Sequence, residues 1–306
     1  MYRTQKLAKR INDLVPEIYP ICIASYQRPE ATLLKKMINH PEYQGSYLFV
    51  RKEEKDLYKK WKDFFHIVTL KNVDNIGDTR RKLFNYCVAH GLDKVYLFDD
   101  DIGEIDYQYP SYTSGGKLCM RNHATDQHLQ HDVFPEAIKM WQYLIKEKCK
   151  EEVAISSPIY RPFSWSIANA NRKIIYNDYE CMQAVYLNIK LLHEHDINYR
   201  STKEVGPSDY AIQFDAMTKG LKTFVTRDIM YGAPAMASGT GGCSASEYDA
   251  IFKGDITAVM SDRYDRFIKN VSGENHPGIK KKITVKTKRV SPAFNWSYWK
   301  SGGSDT

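Results

Sequence analysis

Short apolar runs alternate with amphipathic segments along the first third of the chain. Apolar, β-prone runs recur at residues 17–24, 46–50, 64–70 and 94–98, and each has the length of a buried strand. Amphipathic segments lie between them, and the clearest is 77–89, where apolar residues recur at helical spacing. This order of strands and helices predicts a parallel sheet with right-handed crossovers.

The second half of the chain has a less regular pattern. Its predicted elements are a helix at 131–150, a strand at 153–157, a helix at 184–193, a helix at 208–220 and a strand at 221–225. The polar and aromatic segment 161–177 is predicted to loop over the sheet. No linker separates the halves, so we predict a single α/β domain with a mostly parallel central sheet flanked by helices.

Composition narrows the class of protein. An apolar fraction of 42% and 22 tyrosines among 306 residues favour a packed core over disorder. No apolar run approaches the roughly 18 residues of a membrane span, and the basic N-terminus has no apolar segment behind it, so neither a membrane partner nor a signal peptide is expected. The six cysteines form no Cys-x-x-Cys pair, which indicates reduced thiols in a cytoplasmic protein without a zinc site.

Three consecutive aspartates, Asp99, Asp100 and Asp101, follow the apolar run at 95–98. Open α/β sheets bind ligands at the carboxyl ends of their strands, where these carboxylates are predicted to lie. Side chains alternate along an extended chain, so Asp99 and Asp101 are expected to share a face and Asp100 to point away. Two convergent carboxylates are typical of a Mg²⁺ or Mn²⁺ site that also binds phosphates. The alternative is a solvated acidic loop.

The positive charge of the chain is unevenly distributed. The net charge is +7, and the segment 280–289 is strongly basic with interspersed apolar residues. Such a segment is typical of a surface that follows a polyanion such as nucleic acid. It is equally typical of a charged edge strand that resists aggregation, and the sequence leaves both interpretations open.

The order of these parts resembles a known fold. Its motifs are a first strand that ends in Ser25-Tyr-Gln-Arg-Pro29, a Gly77-x-x-Arg80-Arg81 helix, the Asp99-Asp100-Asp101 strand, and a Ser208-Asp209 helix that closes in Lys219-Gly220. Over residues 17–230 the chain resembles GT-A glycosyltransferases. More narrowly, it resembles the TET-associated glycosyltransferases of phage DNA hypermodification, which are thought to add sugars to 5-hydroxymethylpyrimidines in DNA.

The resemblance implies a GT-A fold in which different segments of the chain bind the donor and the acceptor. Residues 17–102 would bind a nucleotide-sugar donor, expected to be a UDP-sugar, and residues 103–270 would bind the acceptor, with 271–306 as a basic C-terminal extension. The implied acceptor is 5-hydroxymethylcytosine in phage DNA, which places the protein in the cytoplasm of an infected bacterial cell. The implied cofactor is Mn²⁺ or Mg²⁺, and the oligomeric state is not predicted.

The resemblance also implies roles for individual residues. Asp99 would contact the donor ribose and the metal, and Asp101 would hold the metal directly. His276 would complete the metal coordination, unless it is an ordinary surface histidine. Asp209 would be the general base of an inverting enzyme, although the usual pair is Glu-Asp and this chain has Ser208-Asp209; the alternative is an acid that complements a helix N-terminus.

Donor binding is expected from the two segments that precede the aspartates. Arg28 would grip a phosphate or the base edge, and Tyr26 would stack on the base unless it packs in the core. Gly77 would allow close backbone approach at a helix N-terminus that favours anions. The predicted donor-binding residues are Ser25, Tyr26, Arg28, Gly77, Arg80, Arg81, Asp99 and Asp100, with one of the two adjacent arginines expected to be solvated.

Two further segments are candidates for the acceptor side. The small-residue loop at Gly239–Gly242 is predicted to close over the donor or to be an ordinary linker. Phe163 and Trp165, with Asn169 and Asn171, are predicted either to form an acceptor surface on which an extruded base stacks or to pack in the core.

Other functions fit parts of the pattern. Sugar transfer to a polysaccharide, lipid or protein would use the same donor site. A nucleotidyltransferase would share the acidic metal site but normally carries a glycine-rich signature, which Ala24-Ser-Tyr-Gln-Arg28 lacks. A DNA-binding protein without catalysis would explain the basic segment but not the three aspartates.

Overall fold

The computed structural model describes residues 3–112, 114–116, 118–122, 133–164, 174–234, 256–274, 276–284 and 289–303. Its central sheet has nine strands: β1 Ile21–Ala24, β2 Tyr47–Arg51, β3 His66–Leu70, β4 Lys94–Asp99, β5 Glu104–Tyr112, β6 Leu118–Asn122, β7 Val153–Tyr160, β8 Ala184–Asn188 and β9 Lys222–Gly232. Across the sheet the strands follow the order β3-β2-β1-β4-β8-β7-β9-β5-β6.

Most strands point the same way. The pairs β1–β2, β2–β3, β1–β4 and β7–β9 are parallel. Strand β8 is antiparallel to both of its neighbours, β4 and β7, and β5 is antiparallel to β9 and β6. Seven of the nine strands therefore share one direction, and the predicted α/β class with a mostly parallel sheet is confirmed.

Helices cover both faces of the sheet. The α-helices are α1 Arg3–Ala8, α2 Ile11–Leu14, α3 Thr32–Met37, α4 Ile76–Ala89, α5 Phe134–Tyr143, α6 Arg161–Ser164, α7 Ile189–Glu194, α8 Thr202–Val205, α9 Ser208–Thr218, α10 Ile256–Phe267 and α11 Trp296–Lys300. There are 3₁₀ turns at Pro41–Tyr43 and Lys52–Trp61, and π turns at Leu144–Lys148 and Ile268–Ser272. Among these described helices, none is both long and apolar enough to cross a bilayer.

Strand β4 shows why the predicted strands read as continuous apolar runs. Its side chains alternate between two cores: Tyr96 and Phe98 pack in one, and Val95 and Leu97 pack in the other. A strand that is buried on both faces needs apolar residues at every position. The sheet therefore presents its chemistry at the ends of the strands rather than on its faces.

The prediction of a helix over 184–193 is wrong in its first half. Residues Ala184–Asn188 form the fully buried strand β8, and only Ile189–Glu194 is helical. An apolar run this short fits either period, and here the pairing with β4 and β7 decides. Strands β5 and β6 were also not predicted. The helix expected over 131–150 is described from Phe134, and after Tyr143 it passes into the π turn.

The C-terminal segment forms a small unit that packs on α9. Its strands β10 Ile279–Thr284 and β11 Arg289–Phe294 pair antiparallel as a separate two-stranded sheet. A third apolar core joins this hairpin and helices α10 and α11 to Phe214 of α9. The basic segment predicted from sequence is thus attached to the helix that begins at Ser208 and Asp209.

Candidate active site

The carboxyl ends of β1 and β4 lie side by side at one edge of the sheet. The parallel register pairs Ala24 with Asp99, so the residues that follow, Ser25 and Asp100, come into contact. Ser25 Oγ donates a hydrogen bond to Asp100 Oδ2 at 2.5 Å, and the Tyr58 hydroxyl lies 2.8 Å from Ser25 Oγ. Asp100 is only 4% exposed, and burial raises its pKa to about 7 although Ser25 and Arg28 oppose the shift. Ser25 and Asp100 therefore bond to each other beneath the site.

Arg28 connects two neighbouring aspartates. Its Nη1 donates to Asp100 Oδ1 at 3.0 Å and to Asp101 Oδ2 at 2.9 Å. Strand β4 ends at Asp99 and the chain turns at the next two residues, so strict alternation ends there. The expectation that Asp100 points away from Asp101 is corrected for this reason. Arg28 is held by the protein's own carboxylates at this edge.

Arg80 joins the end of β4 to the start of α9. Its side chain is 5% exposed, and Nη2 donates to both Asp99 oxygens at 2.9 and 3.1 Å. Nη1 donates to Asp209 Oδ1 at 2.5 Å, and the guanidinium carbon lies 5.8 Å from the centroid of the Tyr199 ring. Burial raises the pKa of Asp209, and the charge of Arg80 opposes that shift. Arg80 thus brings together the two carboxylates that were predicted to act on donor and acceptor.

One carboxylate oxygen in this group has no hydrogen-bond partner. Asp101 Oδ1 is buried without one, and burial together with the charge of Asp99 raises the pKa of Asp101. We define the aspartate cluster as Asp99, Asp100, Asp101 and Asp209; with all four ionised, its charge exceeds that of Arg28 and Arg80 by two. A buried acceptor beside excess negative charge fits a divalent cation.

The described residues contain no group of three or more His, Cys, Asp or Glu side chains arranged to hold a metal. The structure therefore does not bring His276 together with Asp99 and Asp101. His276 instead accepts a hydrogen bond at Nδ1 from the Gly278 N–H at 2.9 Å. Its ring stacks on Trp299 with centroids 5.6 Å apart, so it contributes to the C-terminal core.

The start of helix α4 is occupied by the protein itself. Asn75 caps it by accepting from the Asp78 N–H at 3.0 Å and from the Thr202 N–H at 3.1 Å. Arg81 donates to Asp78 at 2.8 Å and is half-exposed. The predicted anion site at this helix N-terminus is therefore filled by side chains, and of the two adjacent arginines Arg81 is the more solvated one.

Gly77 allows close approach of a protein segment. A Cβ at this position would lie 2.3 Å from the Arg200 carbonyl oxygen and 2.7 Å from the Thr202 nitrogen. We expect Gly77→Ala to lower the free energy of unfolding by about 1–3 kcal/mol, because backbone cannot yield as a flexible side chain can. Urea unfolding would measure this, with Gly103→Ala as the matched control, since there the nearest atom is 3.9 Å away. Equal losses in both variants would contradict the assignment.

Tyr26 lies at the same edge of the sheet, with one ring face covered. The Arg51 guanidinium carbon is 3.7 Å from the centroid of the Tyr26 ring. Next to it, Gln27 adopts a positive φ of 55°, and its N–H donates to the buried Glu54 at 3.0 Å. Tyr26 is thus half-buried beside an arginine rather than packed in the core.

The sequence reasoning missed three residues at this edge: Arg51, Glu54 and Tyr58. Arg51 ends β2, so the rule that ligands bind at the carboxyl ends of strands would have found it. Glu54 and Tyr58 are four apart on the 3₁₀ segment that follows. Both are buried, and their spacing of four residues, which would place them on one face of a helix, was the available signal.

Part of the predicted acceptor surface lies outside the described residues. This holds for Gly239–Gly242, Trp165, Asn169 and Asn171. Phe163 is described and 49% exposed, and its ring contacts Tyr160 and Tyr179 with centroids 5.9 and 6.0 Å apart. It lies after the carboxyl end of β7, on a short aromatic surface rather than in the core.

Comparison with known proteins gives structural neighbours only. No family model and no curated protein matches the chain. Similar solved structures include S. aureus TarS 1–349 (12% identity, TM-score 0.43, 83% of this chain and 66% of that chain) and its complex with UDP (10%, 0.41, 71% and 60%). A third is GalNAc-T7 with UDP, GalNAc and Mn²⁺ (8%, 0.38, 92% and 56%).

The chain spans between 56% and 66% of the length of these three chains. Similarity at this level assigns neither donor, acceptor nor metal to this chain. The resemblance to DNA-hypermodification enzymes stays a prediction.

Proposed function

We propose that the protein is a divalent-metal-dependent glycosyltransferase that moves a sugar from a UDP-sugar to a 5-hydroxymethylpyrimidine in DNA. One observation carries the proposal. Four carboxylates lie where β4 ends and α9 begins, two buried or half-buried arginines bind them, and one buried Asp101 oxygen has no partner. This is an incomplete polar site at the edge of the sheet where α/β proteins bind nucleotides.

The residues present fit a cation that is shared with a substrate. Asp101 would hold it through its unpartnered Oδ1, and Asp99 would add a second carboxylate, because each carboxylate oxygen has a lone pair beyond the one that Arg80 uses. Mg²⁺ and Mn²⁺ are commonly bound through one or two carboxylates plus phosphates. Such an ion would offset the negative charge that develops on the departing diphosphate.

Asp209 would act on the acceptor. It is the second residue of α9, faces the aspartates across Arg80, and keeps part of its side chain exposed. As general base it would take the proton of the attacking hydroxyl, which forms a bond to the anomeric carbon while the bond from that carbon to the diphosphate breaks. Burial raises the pKa of Asp209 above that of an ordinary aspartate, which makes it a stronger base, and the charge of Arg80 opposes that shift.

The DNA acceptor is supported by charge. The net charge of +7 is positive enough to favour a polyanion, and the basic segment 280–289 is attached to α9. Transfer to a polysaccharide, lipid or protein would leave the protection of a strand edge as the role of that segment. A nucleotidyltransferase would use the same carboxylates, and a non-catalytic DNA-binding protein would not need them.

Thermal unfolding with nucleotide ligands tests the donor and the metal together. A UDP-sugar at 100 times its Kd should stabilise the protein by about 2.7 kcal/mol, which corresponds to a rise in Tm of about 5 °C. We expect this rise with Mn²⁺ or Mg²⁺ present and little rise in EDTA, because the diphosphate and the aspartate cluster repel each other without the ion. The matched ligands are CDP-, GDP- and ADP-sugars.

The same assay can reject the proposal. A shift of equal size for all nucleotides, or one that EDTA does not change, would exclude a uridine-specific, metal-linked donor site. If a shift with a nucleoside triphosphate exceeds that with any sugar nucleotide, the nucleotidyltransferase alternative is favoured. Transfer of radiolabelled sugar to DNA that contains 5-hydroxymethylcytosine, compared with unmodified DNA, then tests the acceptor.

A further inference from the structure

The positive charge of this protein is concentrated in one short stretch of its sequence. Residues 279–289 contain six basic and no acidic side chains, whereas the whole chain has a net charge of +7. The rest of the chain is therefore close to neutral. A charge distribution of this kind marks one surface for a polyanion, rather than giving a weak attraction over the whole protein.

The lysines of β10 are available to a partner. Lys280, Lys281 and Lys282 are all exposed, and no described carboxylate forms an ion pair with any of them. Lys280 and Lys282 share one face of the strand because side chains alternate. Lys281 lies on the other face, 5.6 Å from the centroid of the Tyr264 ring. The strand thus carries exposed lysines on both of its faces.

The hairpin is close to the start of α9. Phe294 of β11 stacks on Tyr210, with ring centroids 5.1 Å apart and an interplanar angle of 4°, and Tyr210 is the neighbour of Asp209 in sequence. Glu180 makes a side-chain hydrogen bond with Tyr210 and interacts electrostatically with Lys282. Tyr210 therefore links the hairpin to the helix that carries the carboxylate proposed as general base.

We propose that β10 is the docking strand for the phosphodiester backbone of the DNA acceptor, with Lys280, Lys281 and Lys282 contacting phosphates. The proposal rests on the proposed function, since it assigns the part of the chain that holds the same acceptor. A membrane surface fits less well: the lysines lie on a strand, and the described part of β10 exposes a single large apolar side chain, Ile283, whereas interfacial segments present an apolar face.

The strand could instead carry lysines only to block edge-to-edge pairing. The two roles make different predictions for DNA. Phosphate contacts release counterions, so each contact adds about 0.9 to the slope of log K against log salt for duplex DNA. Lysines that only protect an edge would leave both affinity and slope unchanged when they are replaced.

The test compares two triple variants of the full chain. K280Q/K281Q/K282Q removes the proposed contacts, and K146Q/K148Q/K150Q is the matched control. The control lysines are also three exposed lysines in a short segment, one of them over a tyrosine ring, but they precede β7 and so lie at the opposite edge of the sheet. The readouts are fluorescence anisotropy of an unmodified 30-bp duplex at several salt concentrations, and Tm to verify folding.

We expect the β10 variant to bind duplex DNA at least about tenfold more weakly at 0.1 M salt, with a slope smaller by about 2.7. The control should match the wild type. Equal binding by wild type and the β10 variant, no DNA binding by the wild type, or tighter binding to phosphatidylserine vesicles than to DNA would each overturn the proposal.

Transfer assays separate this proposal from the proposed function. If the wild type glycosylates hydroxymethylated DNA and the β10 variant does so with an unchanged KM, the function stands and the docking strand is wrong. If the lysines govern DNA binding but no sugar reaches DNA from any UDP-sugar, the docking strand stands and the acceptor assignment falls. Transfer to the free nucleoside 5-hydroxymethyl-2′-deoxycytidine should be equal in both proteins, because it has no phosphodiester backbone.

Discussion

Replacing Arg80 with methionine should lower the free energy of unfolding by about 3–5 kcal/mol, the range measured when one partner of a buried ion pair is removed. Arg80 is almost fully buried and donates to Asp99 and Asp209 at once. Methionine keeps much of the side-chain volume, so the loss would come from two carboxylates left without their cation. Urea denaturation at pH 7 would measure it.

The matched control is Arg81→Met, one residue further along the same helix. Arg81 is 40% exposed and pairs with Asp78 within one helical turn, so its loss should cost below about 1 kcal/mol. Similar losses in the two variants would show that Arg80 does not organise the aspartate cluster.

The pH dependence of Arg80→Met gives an independent check. Burial already raises the pKa of Asp209, and removal of Arg80 would raise it further. A carboxyl with a higher pKa in the folded than in the unfolded state binds more protons when folded, so stability falls as pH rises from about 4 through the folded pKa. The deficit of the variant should therefore be smaller at pH 5 than at pH 8, and a deficit that is larger at pH 5 would contradict this.

The sequence was most informative where one residue type is required at every position. Strand β4 had to be apolar throughout because both of its faces are buried, and its end was visible as the first of three aspartates. The parallel order of β1 to β4 followed from the helices between them. Strand β8 could not be recognised in this way, because five buried residues next to a helix fit either periodicity.

The location of the site could be predicted from the sequence, but most of the contacts between its side chains could not. The rule of strand ends placed Ser25, Arg28 and Asp99 at one edge, and the structure brings them together. It did not reveal that Arg28 and Arg80 bind the protein's own aspartates. That pairing depends on the turn after Asp99 and on the distance from α4 to α9, and neither can be predicted from a local sequence pattern.

Asp101 has a buried carboxylate oxygen, Oδ1, without a hydrogen-bond partner. Asp101→Asn should reduce sugar transfer by about 10³-fold or more, and Asp209→Asn by about 10²- to 10⁴-fold. Both changes are isosteric, and each asparagine keeps a carbonyl oxygen that can accept from Arg28 or Arg80. Burial and the charge of Asp99 raise the pKa of Asp101, so Asp101→Asn relieves repulsion and should not lower Tm.

Donor binding distinguishes the two variants. Asp101→Asn should lose the Mn²⁺-dependent rise in Tm with the UDP-sugar, because the unpartnered oxygen is replaced or turned away. Asp209→Asn should keep that rise and lose transfer only, since its proposed role begins with the acceptor hydroxyl. Asp56→Asn, at a carboxylate whose side chain is 81% exposed, is the control and should change neither. If Asp101→Asn retained metal-dependent binding, the cation would have to be held elsewhere. If Asp209→Asn retained transfer, the enzyme would use another base or proceed with retention of configuration, for which this residue is not required.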